Sequence, residues 1–279
     1  GVHEIYRSWR KHFDSFDKPI MAVAEAWVHP PVNGVAYVRP DELHQIFNFD
    51  LLIAPFEAKT LFRLVNNTIE MLKDVGAYPT WAISNHDSPR VASRIGAEEA
   101  RALALFLFGL PGSCYVYNGE ELGLPDAEVA DSDRQDPSFL RTNGETKGRD
   151  GARVPLPWSG METPFGFSAG KPWLPLPTNW NELTVEIQSS NSDSSLSLYK
   201  RALSERAELL GANDFTWDVS KIDQGILGFS RAGIQVYLNS GDKSVKLQAS
   251  EIILSSSGSQ NLLNGELELM PRRAIWFKR

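Results

Sequence analysis

Four short apolar runs alternating with amphipathic helical stretches, then a train of short alternating segments, predict an α/β chain: the C-terminal half of a (β/α)8 TIM barrel followed by a small antiparallel β-sandwich. A helix between two apolar strands is the crossover that a parallel sheet requires. Four such units make half of a closed eight-stranded barrel. With 279 residues, 42% of them hydrophobic, the chain has material for a sizeable core.

The elements follow in order. Ile5, Tyr6, Trp9 and Phe13 run at helical spacing from the very start, so residues 4–16 are expected as a helix and the start as a cut within a longer protein. Lys18-Pro19 ends that helix before Ile20–Ala24, an apolar run of the kind that forms a buried parallel strand. Ile46–Leu52 reads as the next strand, 59–75 as a helix with apolar residues at 61, 64, 65, 69 and 72, and Thr80–Ser84 as a third strand. A helix over 97–108 and a strand over Ser113–Tyr117 complete the fourth unit. These would be barrel strands five to eight.

From Leu124 to Asn191 the chain is rich in Pro, Gly, Asp and Trp with little periodicity, too long for an ordinary connection, and is expected to be a functional loop. A helix over 194–210 would close the barrel. Composition shifts near Gly211, so residues 1–211 are expected as the half barrel and 212–279 as the sandwich. Strands are expected at 226–229, 234–238, 244–247, 251–254 and 273–277, with 255–259 a flexible turn.

Bulk properties narrow the partners. A net charge of -7 with 28 scattered basic residues argues against nucleic acid and favours a neutral ligand. No apolar run approaches the roughly 18 residues a membrane helix needs, so no membrane partner is expected. The single cysteine, Cys114, lies in an apolar run and is expected to be a buried structural thiol, which points to a cytoplasmic protein.

In a parallel barrel the chemistry sits at the carboxyl ends of the strands. The residues there are acidic: Glu25 after the first run, Asn85-His86-Asp87 after the third, and Asn118-Gly-Glu-Glu121 after the fourth. Carboxylates meeting at one mouth suit glycosidic cleavage, where an acid must protonate the leaving oxygen and negative charge must face an oxocarbenium-like transition state.

The segments Ala24-Glu-Ala-Trp27, Ser84-Asn-His-Asp-Ser-Pro-Arg90, Tyr117-Asn-Gly-Glu-Glu-Leu-Gly123 and Gly148-Arg-Asp-Gly-Ala-Arg-Val-Pro-Leu-Pro-Trp158 together resemble the α-amylase superfamily of glycoside hydrolases (glycoside hydrolase family 13). Within it they are most similar to the actinobacterial α-glucosidase and oligo-1,6-glucosidase branch. The resemblance implies a retaining α-glucosidase acting on a small oligosaccharide such as maltose or isomaltose, with no cofactor and no metal among these residues. It implies Glu25 as the general acid/base and Asp87 as the carboxylate that stabilises the transition state, with His86 bonding the same sugar ring. For Arg90 it leaves a sugar contact or a loop-fixing ion pair, and for Arg149 and Asp150 a structural ion pair with Arg149 at the rim of the acceptor subsite. Phe49 and Trp27 could stack on sugar faces or pack, Glu120 and Glu121 would hold loops, and Ala152 carries no assigned role.

The family's nucleophile, an Asp within a Gly-Phe-Arg-x-Asp motif, does not occur in this sequence. The chain is therefore expected to need the missing N-terminal half of the same protein and to be inactive alone. Two other readings keep the fold: a transglycosylating relative of the sucrose isomerase kind, and a non-catalytic scaffold like a transporter heavy chain. The latter would have lost the carboxylates that stand here at Glu25 and Asp87.

Overall fold

In the computed structural model, which describes residues 1–258 and 260–279, helix α1 (Val2–Phe13) opens the chain and stops at Asp14, earlier than expected. None of its residues is fully buried; Tyr6 and Phe13 pack against a cluster built on Ala24, Val38, Leu43, Ile46 and Leu72. Buried Glu42 anchors the helix by polar contact, accepting from Arg7 and Arg39 and meeting His3 Nδ1 at 2.6 Å.

The four expected strand runs are present but pair over only two residues each. β1 (Val23–Ala24) lies parallel to β2 (Gln45–Ile46), and β3 (Thr80–Trp81) parallel to β4 (Ser113–Cys114). Between β2 and β3 the Thr80 hydroxyl replaces the ladder, donating to Ile46 O at 2.8 Å and accepting from Asn48 N at 3.0 Å. Gln45 then reaches across the interior, its amide donating to Ser113 Oγ at 2.6 Å while Tyr115 OH donates to its oxygen at 2.7 Å. The strand expected to run to Leu52 breaks after Ile46 because the Asn48 side chain accepts from Asp50 N at 2.9 Å, turning residues 50–52 into a single 3-10 turn.

Helix α2 (Ala58–Lys73) starts where Glu57 accepts from Thr60 N at 3.0 Å, and buries Leu61, Val65, Thr68 and Leu72 on one face. A short helix not expected from the sequence, α3 (Val91–Ile95), precedes α4 (Ala97–Gly109), the two separated by Gly96 at φ 103°. Every residue of α4 from Ala102 to Gly109 is buried, as befits a helix apolar on all sides with packing on more than one.

What presses on α4 from the far side is a five-stranded antiparallel sheet in the order β5 (Thr216–Asp218), β6 (Ile226–Arg231), β7 (Ile234–Asn239), β11 (Arg273–Lys278), β9 (Glu251–Ser255). Strand alternation divides its two faces. Phe229, Val236, Leu238, Ala274 and Trp276 join the cluster that contains α4, and Trp276 Nε1 donates to Leu105 O at 2.9 Å. At Gly109 the two surfaces approach too closely for a side chain, since a Cβ there would meet Phe229 Cζ at 2.8 Å and Val236 Cγ2 at 2.9 Å. Ile226, Tyr237, Ile275 and Phe277 point the other way and pack on a two-stranded sheet of β8 (Val245–Gln248) and β10 (Glu266–Leu269). One hydrophobic cluster therefore runs on both sides of residue 211. β5 and β10 had no clear sequence signal, and the turn expected over 255–259 ends outside the described residues.

The long segment from 124 to 191 is not structureless. It holds two one-turn-scale helices, α5 (Pro137–Arg141) and α6 (Val185–Ser189), and its own core of Leu124, Val129, Val154, Phe165, Leu174 and Trp180. Helix α7 (Ser195–Leu209), capped by Ser194 accepting from Ser197 N, follows as expected and packs on α4. Its Arg206 donates to the carbonyls of Phe108, Leu110 and Gly112, closing the end of α4.

Candidate functional site

Glu25 leaves β1 at its carboxyl end, one residue past Ala24. His86 and Asp87 reach the same place from beyond β3. The loop that carries them is shaped by Asn85, whose side-chain oxygen accepts from the backbone N–H of Asp87 at 3.0 Å and of Ser88 at 2.8 Å. Glu25, His86 and Asp87 each bring a ligating atom within 4.8 Å of the others. Glu25 and His86 border a cavity of about 280 Å³ whose lining also includes Asn85, the residue that shapes the Asp87 loop, with Phe47, Phe49 and Tyr117. The sequence-predicted acid, stabiliser and histidine thus converge.

Asp87 is held from outside its own loop. Its Oδ1 accepts from Arg149 at 2.7 Å and from Arg153 at 2.8 Å, and lies 3.5 Å from His86 Nε2. Partial burial alone would raise its pKa; the Arg149 hydrogen bond, with the charges of His86, Arg149 and Arg153, outweighs that and leaves it lowered. Arg153 also donates to His86 O at 2.8 Å, fixing the backbone as well as the carboxylate.

Arg149 is not paired with Asp150, as the sequence suggested. Its partner is Asp136, which is 1% exposed and accepts from Arg149 Nε at 2.7 Å, Arg149 N at 2.9 Å and Ser138 N at 2.9 Å. That hydrogen bonding holds the Asp136 carboxyl well below the usual range. Asp150 serves the turn instead, accepting from the N–H groups of Gln135 and Asp136. Two buried aspartates thus build a turn that presents one guanidinium to Asp87. Neither Asp136 nor Arg153 stood out in the sequence reading. Arg153 carried a usable signal, lying four residues after Arg149 in the same motif.

Arg90, expected at the sugar or in a loop-fixing ion pair, has neither role in its side chain. It is 2% exposed, with its guanidinium donating to Asn118 O and Ala152 O at 2.9 Å each and lying 4.9 Å over the Tyr117 ring. A sugar has no access to it. The carboxylate it meets, Asp126, accepts from its backbone N–H. Tyr117 OH donates to the same Ala152 carbonyl at 3.0 Å, which gives that residue a backbone role.

Phe49 lies at the mouth, stacked on Trp27 with centroids 4.0 Å apart and planes 3° from parallel, so one face of each ring is taken by the other. Glu120 is 5% exposed, with Tyr199 OH donating to it at 3.1 Å, and burial pushes its pKa up to about 8. Glu121 accepts from Gly119 N at 2.8 Å. Both act beneath the site, in the loop after β4. Cys114 is pushed up to about 11 by burial, an unreactive thiol.

Among the described residues, Glu25, His86 and Asp87 are the group whose spacing a cation could share. Arg149 and Arg153 already bring positive charge to Asp87 there, which makes a cation a poor fit. What the arrangement offers is an exposed carboxyl beside a second carboxylate kept ionised, with an imidazole and aromatic faces around them. No helix among the described residues is long and apolar enough to cross a membrane.

Known proteins resemble this chain in sequence and fold. An oligo-1,6-glucosidase of Parageobacillus thermoglucosidasius is 28% identical over 245 residues, covering 74% of this chain and 43% of its own. A probable alpha-glucosidase of Rhizobium meliloti is 34% identical over 177 residues, 60% of this chain and 31% of its own. Among solved structures, the alpha-glucosyl transfer enzyme XgtA superposes with a TM-score of 0.81 at 27% identity, covering 99% of this chain and 54% of that one. The chain spans about half the length of the relatives it matches, and its fold corresponds to part of the α-amylase fold. The alpha amylase, catalytic domain, model matches residues 1–211, the stretch that carries Glu25, His86, Asp87, Arg149 and Arg153, and the chain therefore belongs to the α-amylase family of glycoside hydrolases.

Proposed function

We propose that this chain supplies the proton donor and the transition-state stabiliser of a retaining α-glucosidase that removes terminal α-linked glucose from small oligosaccharides. Glu25 protonates the departing glycosidic oxygen as the C–O bond breaks, then takes a proton from the water that completes hydrolysis. Its exposure to the mouth gives it reach to both. Asp87 faces the positive charge that develops on the sugar, and His86 bonds the same ring. Phe49, with Trp27, borders the acceptor side, and Arg149 sets Asp87 from the rim. Arg90 holds the loops from below. The observation that carries this reading is the convergence of Glu25, His86 and Asp87 within 4.8 Å, with Asp87 kept ionised by two arginines.

A retaining mechanism needs a nucleophile about 5 to 5.5 Å from the acid. The resemblance assigns Asp87 the stabilising role, and no Gly-Phe-Arg-x-Asp motif in the sequence fills that place. The nucleophile in this reading comes from barrel strands outside this sequence, packed along β1, which among the described residues pairs on one side only, and along the exposed Ile5 and Trp9 of α1. The chain alone then turns over no p-nitrophenyl α-glucoside. Hydrolysis by the isolated chain at the rate of a complete glucosidase would overturn the assignment.

The same donor and stabiliser also serve glucosyl transfer, a reading favoured by the likeness to the alpha-glucosyl transfer enzyme. Product analysis on maltose and sucrose, with the barrel complete, separates glucose release from transfer products.

A further inference from the structure

Behind the Trp27–Phe49 pair lies a second cavity, of about 270 Å³, between the outer face of β2, helix α2 and the 3-10 segment Pro31–Val38. It shares Phe47 and Phe49 with the cavity that holds Glu25, and Trp27, two residues beyond Glu25, stands in its wall. Val28, Ile46, Ile53, Met71 and Leu72 make most of the rest apolar.

The polar atoms around it are largely spent within the chain. Asn48 donates to Thr68 Oγ1 at 2.6 Å and accepts from Asp50 N, Thr68 donates to Leu64 O at 2.9 Å, and Thr80 bonds Ile46 O and Asn48 N. Only His29 and Asp50 bring ionisable side chains to the lining. A sugar entering here would leave water with few hydrogen bonds in return, whereas an aryl or alkyl group would gain burial. The volume is at the low end for small-molecule pockets, which fits one ring.

We propose that this cavity binds the apolar portion, aryl or alkyl, of the leaving group of an α-glucoside. The proposal rests on Glu25 as proton donor: the donor must reach the glycosidic oxygen, so the group that oxygen carries lies on the donor's side. The loop leaving Glu25 runs directly into the cavity wall. Beside small oligosaccharides, the site then accepts glucosides whose leaving group is less polar than a second sugar.

The test titrates this chain with phenol, methyl α-glucoside and phenyl α-glucoside, following saturation transfer by NMR. Two variants fill the cavity: Met71→Trp from the α2 side and Ile53→Trp from the lip, where Ile53 is 71% exposed and its replacement leaves the core intact. Asp87→Ala removes the sugar contact. Phenyl α-glucoside should bind about 10-fold more tightly than the methyl compound, about what partial burial of a ring supplies. Either filling variant should abolish that advantage together with phenol binding, and Asp87→Ala should weaken both glucosides while sparing phenol. An equal affinity for the two glucosides overturns the proposal, as does phenol binding that survives both filling variants. If phenol binds and the filling variants abolish that binding while neither glucoside binds even with the barrel complete, the glucosidase reading has failed and the leaving-group assignment falls with it.

Discussion

The two carboxylates at the mouth stand within 4.8 Å of each other and are held in opposite ways. Asp87 sits on a turn built by Asn85, accepts from Arg149 and Arg153, and rests on loops that Arg90 ties together from beneath. Glu25 is exposed and accepts no hydrogen bond among the described residues, and its strand pairs only with β2. In the proposed reading, with Asp87 as stabiliser and Glu25 as proton donor, the contrast separates two tasks. A stabiliser must be fixed and charged before the transition state forms, and the segment from 124 to 153 supplies the cations that do this. A proton donor must exchange its proton with water and sugar, so a clamp of arginines would hold it in the wrong state.

The foundation of the Asp87 side can be broken by pH, and the largest expected effect lies there. Burial raises the Glu120 carboxyl from 4.5 to about 8. The unfolded chain ionises this group near 4.5, so between there and 8 the folded protein holds the extra proton. Stability is then full below 4.5, falls as pH rises through that window and levels above it, by on the order of 4 kcal/mol. Urea unfolding at pH 5, 7 and 9 reads the fall, and Glu120→Gln should flatten it. An equal fall in the variant would mean that another group carries the dependence.

Removing Arg90 comes next. Arg90→Met leaves the buried carbonyls of Asn118 and Ala152 without their cation, a loss of about 3 kcal/mol in unfolding free energy. The same variant sharpens the comparison, because loosened loops should move the amide signal of Asp87 and leave that of Glu25 unchanged. Equal shifts in both would show that the two sides are coupled.

How much of this could be read from the sequence follows the same division. Glu25 was legible because it directly follows an apolar run, and Asp87 because a strand and a short polar turn lead to it. The alternation of helices and strands was legible, though Asn48 turns the chain after Ile46 and the Thr80 hydroxyl stands where backbone pairing of β2 with β3 was expected. The clamp was hidden, since Asp136 and Arg149 meet across thirteen positions of a segment without periodicity, and no local rule pairs them. Arg90 was misplaced for a related reason. Its motif shows a cation beside the site, and only packing reveals that the guanidinium turns inward to two carbonyls.

The smallest expected effect is the most direct test of the contrast. Asp87→Asn leaves Arg149 and Arg153 facing a neutral amide. Because the Asp87 side chain is 30% exposed, solvent screening limits the loss to about 1 kcal/mol. Its lowered pKa fixes the sign: the contribution is present above the ordinary value of 3.8 and disappears as pH falls through the folded value. Glu25→Gln removes no hydrogen bond among the described residues and should change stability by less than about 0.5 kcal/mol at pH 7. The gap between the two variants should therefore be widest at pH 7 and narrower at pH 3, below the ordinary value. If Glu25→Gln costs as much as Asp87→Asn at pH 7, Glu25 is clamped too, and the division between a fixed stabiliser and a free donor does not hold.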